Sequence, residues 1–139
     1  KEKKKYKEAI IDLCQKYVSE KNKIIIKDKM EIIIDDEEPL EESVVTPSIF
    51  AQVLYEIRNK ISHEGDYYSS YFLTSDLDYP LISDICILFE EWKKEKKIYR
   101  KKNVGLNISL TYNEVRNIIT DALICYIKVY SKHIKRKRN

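Results

Sequence analysis

The stretch LYEIRNKISHEGDYY, residues 54–68, contains a fixed cation (Arg58), an amide (Asn59) and an imidazole that titrates near neutral pH (His63). Cleavage of RNA by its own ribose 2′-hydroxyl needs a base for that hydroxyl, an acid for the leaving 5′-oxygen and positive charge on the crowded phosphate. One histidine cannot hold both protonation states at once. A two-fold dimer that brings two copies of this stretch together would supply both states.

A predicted helix positions these three side chains. Thr46 suits the N-cap, Pro47 the first helical position and Gly65 the residue after the C-terminus, so we expect a helix from residue 47 to about residue 63 or 64. At about 100° per residue, its apolar residues form one core-facing stripe. That stripe holds Phe50, Val53, Leu54, Ile57 and Ile61, and the opposite side holds Gln52, Tyr55, Asn59, Ser62 and His63, with Arg58 on the flank.

The spacing of Arg58 and His63 is a weak motif on its own. Arg116-Asn117 repeats the Arg-Asn pair, but Asp121 stands where the histidine would be needed. The context strengthens the motif at Arg58, because Arg58 and His63 lie near the end of an amphipathic helix and away from its core-facing stripe.

In the residues IRNKISHEG the sequence resembles the HEPN superfamily (higher eukaryotes and prokaryotes nucleotide-binding domains), small α-helical domains whose signature is Arg, a polar residue, a short spacer and His. The resemblance implies a metal-independent endoribonuclease without a cofactor. It also implies a homodimer with the two motifs in a shared cleft and a role in toxin-antitoxin or antiviral defence, with an antitoxin or a larger effector as partner.

Carried over by position, the resemblance implies a role for each of the three residues. Arg58 would stabilise the transition state, Asn59 would hold the phosphate, and His63 would act as general acid or base, leaving a 2′,3′-cyclic phosphate and a 5′-hydroxyl. The sequence departs from HEPN toxins that are silenced by a nucleotidyltransferase, because Gly65 stands where those toxins often have Tyr.

Residues around the motif are candidates for RNA contacts. Tyr67 and Tyr68 stand four and five residues after His63 and could stack on an unpaired base, although ordinary packing explains them equally well. The other candidates share the polar side of the helix or its edge; they are Tyr55, Lys60 and Ser62.

The remaining chain predicts an all-α fold: one HEPN-like domain over residues 1–139, with four to five helices and, as an addition, a short β-hairpin near residues 23–34. We expect further helices at about 2–20, at about 79–97 and from a capping box at Thr111 and Glu114. The helix at about 79–97 would turn Leu81, Ile82, Ile85, Cys86, Phe89 and Trp92 inward.

Composition narrows the class of protein. Three cysteines inside apolar runs, Cys14, Cys86 and Cys125, predict small core residues in a reducing, cytoplasmic compartment, and no run is long enough to span a membrane. The absence of a glycine-rich phosphate loop argues against a nucleotide hydrolase. The acidic run DDEEPLEE favours a solvated loop over a metal site.

The net charge of +3 is a small difference between 26 basic and 23 acidic residues, so the distribution of charge matters more than the sum. Basic runs such as KKEKKIYRKK, residues 93–102, favour solvated surface, with a phosphate-binding track as the alternative. The sequence begins with Lys1 and has a single methionine, Met30, so we expect a domain cut from a longer chain.

Two other functions remain open. The first is a non-catalytic HEPN module that binds RNA, a nucleotide or a protein partner. The second is a helical interaction domain in which Arg58 and His63 make ordinary surface contacts.

Overall fold

The computed structural model describes residues 2–33, 45–64 and 81–138, which form four helices and a three-stranded antiparallel sheet. The elements in chain order are α1 (Glu2–Tyr17), α2 (Glu20–Lys29), β1 (Met30–Ile33), α3 (Pro47–Glu64), β2 (Leu81–Lys93), β3 (Lys96–Ile108) and α4 (Tyr112–Arg138). The expected all-α bundle is therefore wrong, and the fold is a mixed one in which helices predominate.

The sheet has the order β1-β3-β2, so β3 is its central strand. β1 pairs only with the end of β3, from Met30 opposite Ile108 to Ile33 opposite Gly105. β2 pairs along the whole of β3, and a register shift between Ile82 and Ile85 places one extra residue on β2. Beyond β1, the sheet therefore continues as a two-stranded ribbon.

The helix expected at about 79–97 is wrong, because residues 81–93 form β2 and residues 96 and 97 begin β3. Ile85, Ile87 and Phe89 are buried, whereas Cys86 and Leu88 between them are exposed, which is the period of two of a strand. Apolar residues occupy nearly every position from 85 to 89, so the sequence also fits a helical stripe. The β3 partner decides between the two periods.

The hairpin expected near residues 23–34 is also wrong, because α2 occupies Glu20–Lys29 and only the end of that stretch becomes strand β1. Ser19 caps α2: its hydroxyl accepts a hydrogen bond from the backbone N–H of Asn22 at 3.2 Å. Acidic Glu20 in the first turn and Lys27 and Lys29 in the last turn suit the helix dipole. These terminal signals prevail over the strand preference of the isoleucines.

The predicted starts of α3 and α4 are confirmed. The backbone N–H of Ile49 donates to the Thr46 hydroxyl at 3.3 Å, which caps α3. Thr111 and Glu114 form the expected capping box, in which the N–H of Glu114 donates to the Thr111 hydroxyl and the N–H of Thr111 donates to the Glu114 carboxylate, both at 3.1 Å.

Lys29 joins the end of α2 to the start of α4 through an ion pair with Glu114. Partial burial would raise the pKa of Glu114, but hydrogen bonds from Lys29 and Thr111 outweigh it and hold the pKa below its usual value. A second polar contact joins the same helices: the Asn22 side chain donates to Asp121 at 3.1 Å. Asp121, which stands where the Arg116-Asn117 pair would need a histidine, therefore has a structural role: it accepts this hydrogen bond.

α3 lies at the centre of the fold, packed against α1 on one side and β2 on another. Its first turns are buried around nearly the whole circumference, as expected of a central helix. Residues of β1, β2, β3, α1, α2 and α4 complete one core around it, whose largest fully buried members include Phe50, Ile26, Ile57, Ile85, Ile87, Leu106, Ile108, Leu110 and Ile118.

The cysteines divide into two kinds. Cys14 is fully buried, and burial raises the pKa of its thiol to about 11. Cys86 and Cys125 are exposed, so the expectation that all three are core residues is wrong for these two. Among the helices that the structure describes, none is long and apolar enough to cross a membrane.

The second half of α4 projects from the core. Val115, Ile118 and Ala122 are buried, but the apolar residues that follow, from Leu123 to Tyr130, are exposed. Tyr6, on α1, is exposed as well. Tyr126 still contacts the body of the protein, because its ring meets that of Tyr17 edge-on at 5.5 Å.

Candidate functional site

The Arg-Asn-His motif lies where α3 leaves the core. Ile57 is fully buried, and the next residue, Arg58, is exposed. Asn59 and Lys60 are half-buried and Ser62 is exposed, so the last turns of α3 present polar side chains at the protein surface. The change from core to surface within one helix places the motif at the rim of the fold.

The amino-terminal end of α1 covers one side of these turns. The guanidinium of Arg58 lies 6.0 Å from the ring centroid of Tyr6, a cation–π contact at the outer limit of the usual distance. Lys7 of α1 contacts the preceding turn of α3: its amine pairs with the Glu56 carboxylate at 3.6 Å and lies 5.5 Å from the ring centroid of Tyr55. Two cations, Arg58 and Lys7, are thus held against aromatic rings on the same side of α3.

Sequence reasoning did not find Tyr6 and Lys7. They stand about fifty residues before Arg58 in the chain, and nothing in the period of α1 distinguishes them from its other tyrosines and lysines. Only the packing of α1 against α3 brings them to the motif.

The placement of Tyr55 and Gln52 on an exposed polar face is wrong. Tyr55 is 7% exposed and Gln52 is 2% exposed, because β2 and α1 cover the sides of α3 that the helical projection assigned to solvent. Tyr55 is therefore a packing residue beneath Lys7, and its surface is not open to an RNA base.

The Gln52 amide has a defined structural role. Its oxygen accepts from the backbone N–H of Leu88 at 2.8 Å, and its nitrogen donates to the Leu88 carbonyl at 3.1 Å. β2 is an edge strand, so the Leu88 N–H and carbonyl have no neighbouring strand to bond. The Gln52 side chain supplies both of their hydrogen bonds instead.

His63 is part of α3, one turn after Asn59, so its backbone position on the helix agrees with the prediction. Residues four apart on a helix are neighbours, and the two therefore share a face. The side chain of His63 lies outside the part of the chain that the structure describes, as do Tyr67, Tyr68 and the whole acidic run DDEEPLEE.

The arrangement supplies fixed positive charge next to a helical turn that carries an amide and an imidazole-bearing residue. An exposed guanidinium provides five N–H donors in a rigid fork, which suits the non-bridging oxygens of a phosphate. Within residues 2–33, 45–64 and 81–138, no group of three or more His, Cys, Asp and Glu residues is placed to hold a metal ion.

Comparisons with protein-family models, with curated proteins and with solved structures found no match for this chain. Its function must therefore be argued from its own residues.

Proposed function

We propose that this chain is a metal-independent endoribonuclease that cleaves RNA by attack of the ribose 2′-hydroxyl, at a composite site formed by two copies of the chain. The observation that carries the proposal is the position of Arg58, Asn59 and His63 on the last turns of α3, where Arg58 is exposed while residue 57 is still core. Arg58 and Asn59 there place a cation and an amide where a phosphodiester has access, next to the helix position of His63.

Each residue has one task in the proposed reaction. Arg58 binds the scissile phosphate and offsets the charge that develops on its oxygens, and Asn59 donates a hydrogen bond that orients it. His63 of one copy, as neutral imidazole, removes the 2′-hydroxyl proton, and the imidazolium of the second copy donates a proton to the leaving 5′-oxygen. The P–O5′ bond breaks as the O2′–P bond forms, which leaves a 2′,3′-cyclic phosphate and a 5′-hydroxyl.

The contact between Arg58 and Tyr6 supports this role for Arg58. A long side chain on a surface helix has several rotamers, and an aromatic neighbour restricts them. A guanidinium that is already oriented loses less entropy when it binds a phosphate than a freely moving one.

The surface of α4 supports the dimer. Leu123, Ile127, Tyr130 and Ile134 follow one another at steps of four, three and four residues, the spacing of the seam of paired helices. Leu123, Ile127 and Tyr130 are exposed in the single chain, which is uncommon for such a stripe unless a partner covers it. We propose that a second copy is that partner.

In line with the resemblance to HEPN domains, we place the protein in the cytoplasm as a toxin or defence effector. An antitoxin or a larger effector would then restrain it. A second candidate, an RNA-binding module without catalysis, is favoured by the basic ribbon of β2 and β3, which would bind RNA whether or not α3 cleaves it.

The test is cleavage of a 5′-labelled single-stranded RNA in EDTA. We expect the wild-type chain to produce cyclic phosphate and 5′-hydroxyl ends, and we expect His63→Ala and Arg58→Ala to lower the rate by at least about a hundredfold. His133→Ala is the matched control, because His133 is an exposed histidine on the last turns of α4, outside the motif, and its loss should leave cleavage unchanged.

Absence of cleavage by a folded wild-type dimer would remove the nuclease proposal and favour the binding module. Cleavage that survives His63→Ala, or that needs a divalent metal, would remove the mechanism.

A further inference from the structure

We propose that the two-stranded ribbon of residues 86–103 is an arm that binds single-stranded RNA. The ribbon is called the arm below. The choice of RNA rests on the proposed function, but the binding itself does not depend on whether the chain cleaves what it holds.

The arm is the part of the β2–β3 hairpin that β1 does not reach. Its pairs run from Cys86 opposite Asn103 to Lys93 opposite Lys96, and β1 ends its pairing at Gly105. Ile87 and Phe89 still belong to the core, so the part of the arm that extends beyond it is residues 90–93 with residues 96–99, roughly 14 Å at 3.4 Å per residue. Residues 93–103 are all exposed or half-buried, so the β3 strand of the arm contributes no buried side chain.

The charge of the arm is strongly positive. Residues 86–103 contain seven basic residues, all between Lys93 and Lys102, and three acidic residues, Glu90, Glu91 and Glu95, so the arm has a net charge of +4. Lys93 and Lys96 stand directly opposite each other, and like charges in such a cross-strand pair destabilise a hairpin. A dense cluster of cations on a projecting element is stabilised by a polyanion, which releases counterions when it binds.

One face of the arm adds an aromatic side chain to this charge. Side chains alternate along a strand, so Lys97, Tyr99 and Lys101 project from the same face of β3 at intervals of about 7 Å. Tyr99 is 56% exposed, and both lysines are exposed. An aromatic ring between two cations matches a nucleic-acid strand whose base stacks on the ring while phosphates on either side meet the lysines.

The ion pair on this face does not block it. Lys97 bonds Glu90 across the strands at 3.0 Å, and both side chains are about 40% exposed. The hydrogen bond to Glu90 raises the pKa of Lys97, which keeps the amine charged. Exposed pairs of this kind contribute little to stability, so a phosphate competes readily for the lysine.

The occupant is single-stranded for a geometric reason. A base can stack on Tyr99 only when it is free of its own partner strand, and the major groove of an RNA duplex is too narrow to admit side chains. The wide major groove of B-form DNA does admit a β-ribbon, so duplex DNA is the competing occupant that the experiment must include.

The experiment measures binding to a labelled 20-nucleotide oligouridine in EDTA at several salt concentrations, using the His63→Ala chain so that cleavage does not interfere. The arm variant combines Lys94→Asn, Lys96→Gln and Lys101→Gln, all at exposed positions. Its matched control combines Lys128→Gln, Lys132→Gln and Lys135→Gln, which removes the same charge from exposed positions of α4.

We expect the arm variant to weaken binding by at least about tenfold and to reduce the slope of log K against log salt by about 2, whereas the control changes affinity by less than about threefold. Tyr99→Ala should weaken binding by about tenfold or more, and Tyr99→Phe should retain it, because stacking needs the ring and not the hydroxyl. Thermal unfolding of each variant checks that these exposed substitutions leave the fold intact.

Equal losses in the arm variant and the control would overturn the inference, because a general electrostatic attraction would then explain binding. Preference for duplex DNA over the oligouridine, or full binding by Tyr99→Ala, would overturn it as well. If the wild-type chain binds RNA through the arm but does not cleave it, the proposed nuclease function is wrong, while the inference that the arm binds RNA remains supported.

Discussion

At the scale of single residues, side chains of the same chemical type have opposite roles because of where they lie. Gln52 is a polar residue on a helix, and its side chain is almost wholly buried, where it pairs with the backbone of β2. Arg58, six residues later, is exposed, and its guanidinium lies 6.0 Å from the ring centroid of Tyr6. Both side chains are polar, but only that of Arg58 is at the surface.

Gln52→Leu should lower the free energy of unfolding by about 1–3 kcal/mol, because the part-buried hydrogen bonds of the Leu88 N–H and carbonyl to the Gln52 side chain are lost. Chemical denaturation measures the change. Gln15→Leu is the matched control: Gln15 is exposed on α1, and the same substitution there should change stability by less than about 0.5 kcal/mol. Equal effects of the two substitutions would contradict the role that we assign to Gln52.

At the scale of elements, the turn between β2 and β3 holds two non-glycine residues in a strained, left-handed backbone conformation. Lys94 and Glu95 connect the strands with φ of 52° and 65°. Positive φ at both central residues is the geometry of a type I′ turn, which suits the right-handed twist of the strands and strongly prefers Asn-Gly. The sequence gives no such turn signal, and this is one reason why KKEKK did not predict a hairpin.

Replacement of Lys94-Glu95 by Asn-Gly should raise the free energy of unfolding by about 1–2 kcal/mol, because both new residues adopt positive φ more easily. Thermal unfolding should show a rise of several degrees. The Lys→Asn change alone, made at Lys101 inside β3, should not stabilise the protein. An unchanged or lower melting temperature for the Asn-Gly variant would contradict this turn geometry.

At the scale of the whole molecule, two elements extend past the common core. The second half of α4 carries exposed apolar residues, and the arm of residues 86–103 carries cations. A helix of 27 residues is about 40 Å long, more than one small core can cover. The two projections have different chemistry, apolar on α4 and cationic on the arm, and we assign them to a second copy of the chain and to RNA respectively.

Ile127→Lys should convert the dimer into a monomer, because it places a charge in the middle of the exposed apolar stripe of α4. Light scattering after size exclusion measures the mass. Ile24→Lys is the matched control, since Ile24 on α2 is 58% exposed and Ile127 is 57% exposed, but Ile24 is not part of the stripe. A monomeric wild-type chain, or a dimer that survives Ile127→Lys, would contradict the α4 interface.

Local signals were sufficient to predict those features that depend on neighbours in the chain. Thr46 and Pro47 start α3, and Thr111 and Glu114 start α4, because caps act over three or four residues. The same local geometry puts Arg58 and Asn59 near the exposed end of α3. The catalytic and RNA-binding roles of these residues are predictions that the experiments above test.

Tertiary structure alone decided the features that depend on partners far along the chain. The stretch around Ile85 and Phe89 fits a helix or a strand, and pairing with β3 makes it a strand. Tyr55 and Gln52 are buried because α1 and β2 pack on both sides of α3. The sequence by itself thus determined where α3 and α4 begin, since a helix cap is a local property, whereas burial and sheet formation required the long-range contacts of the fold.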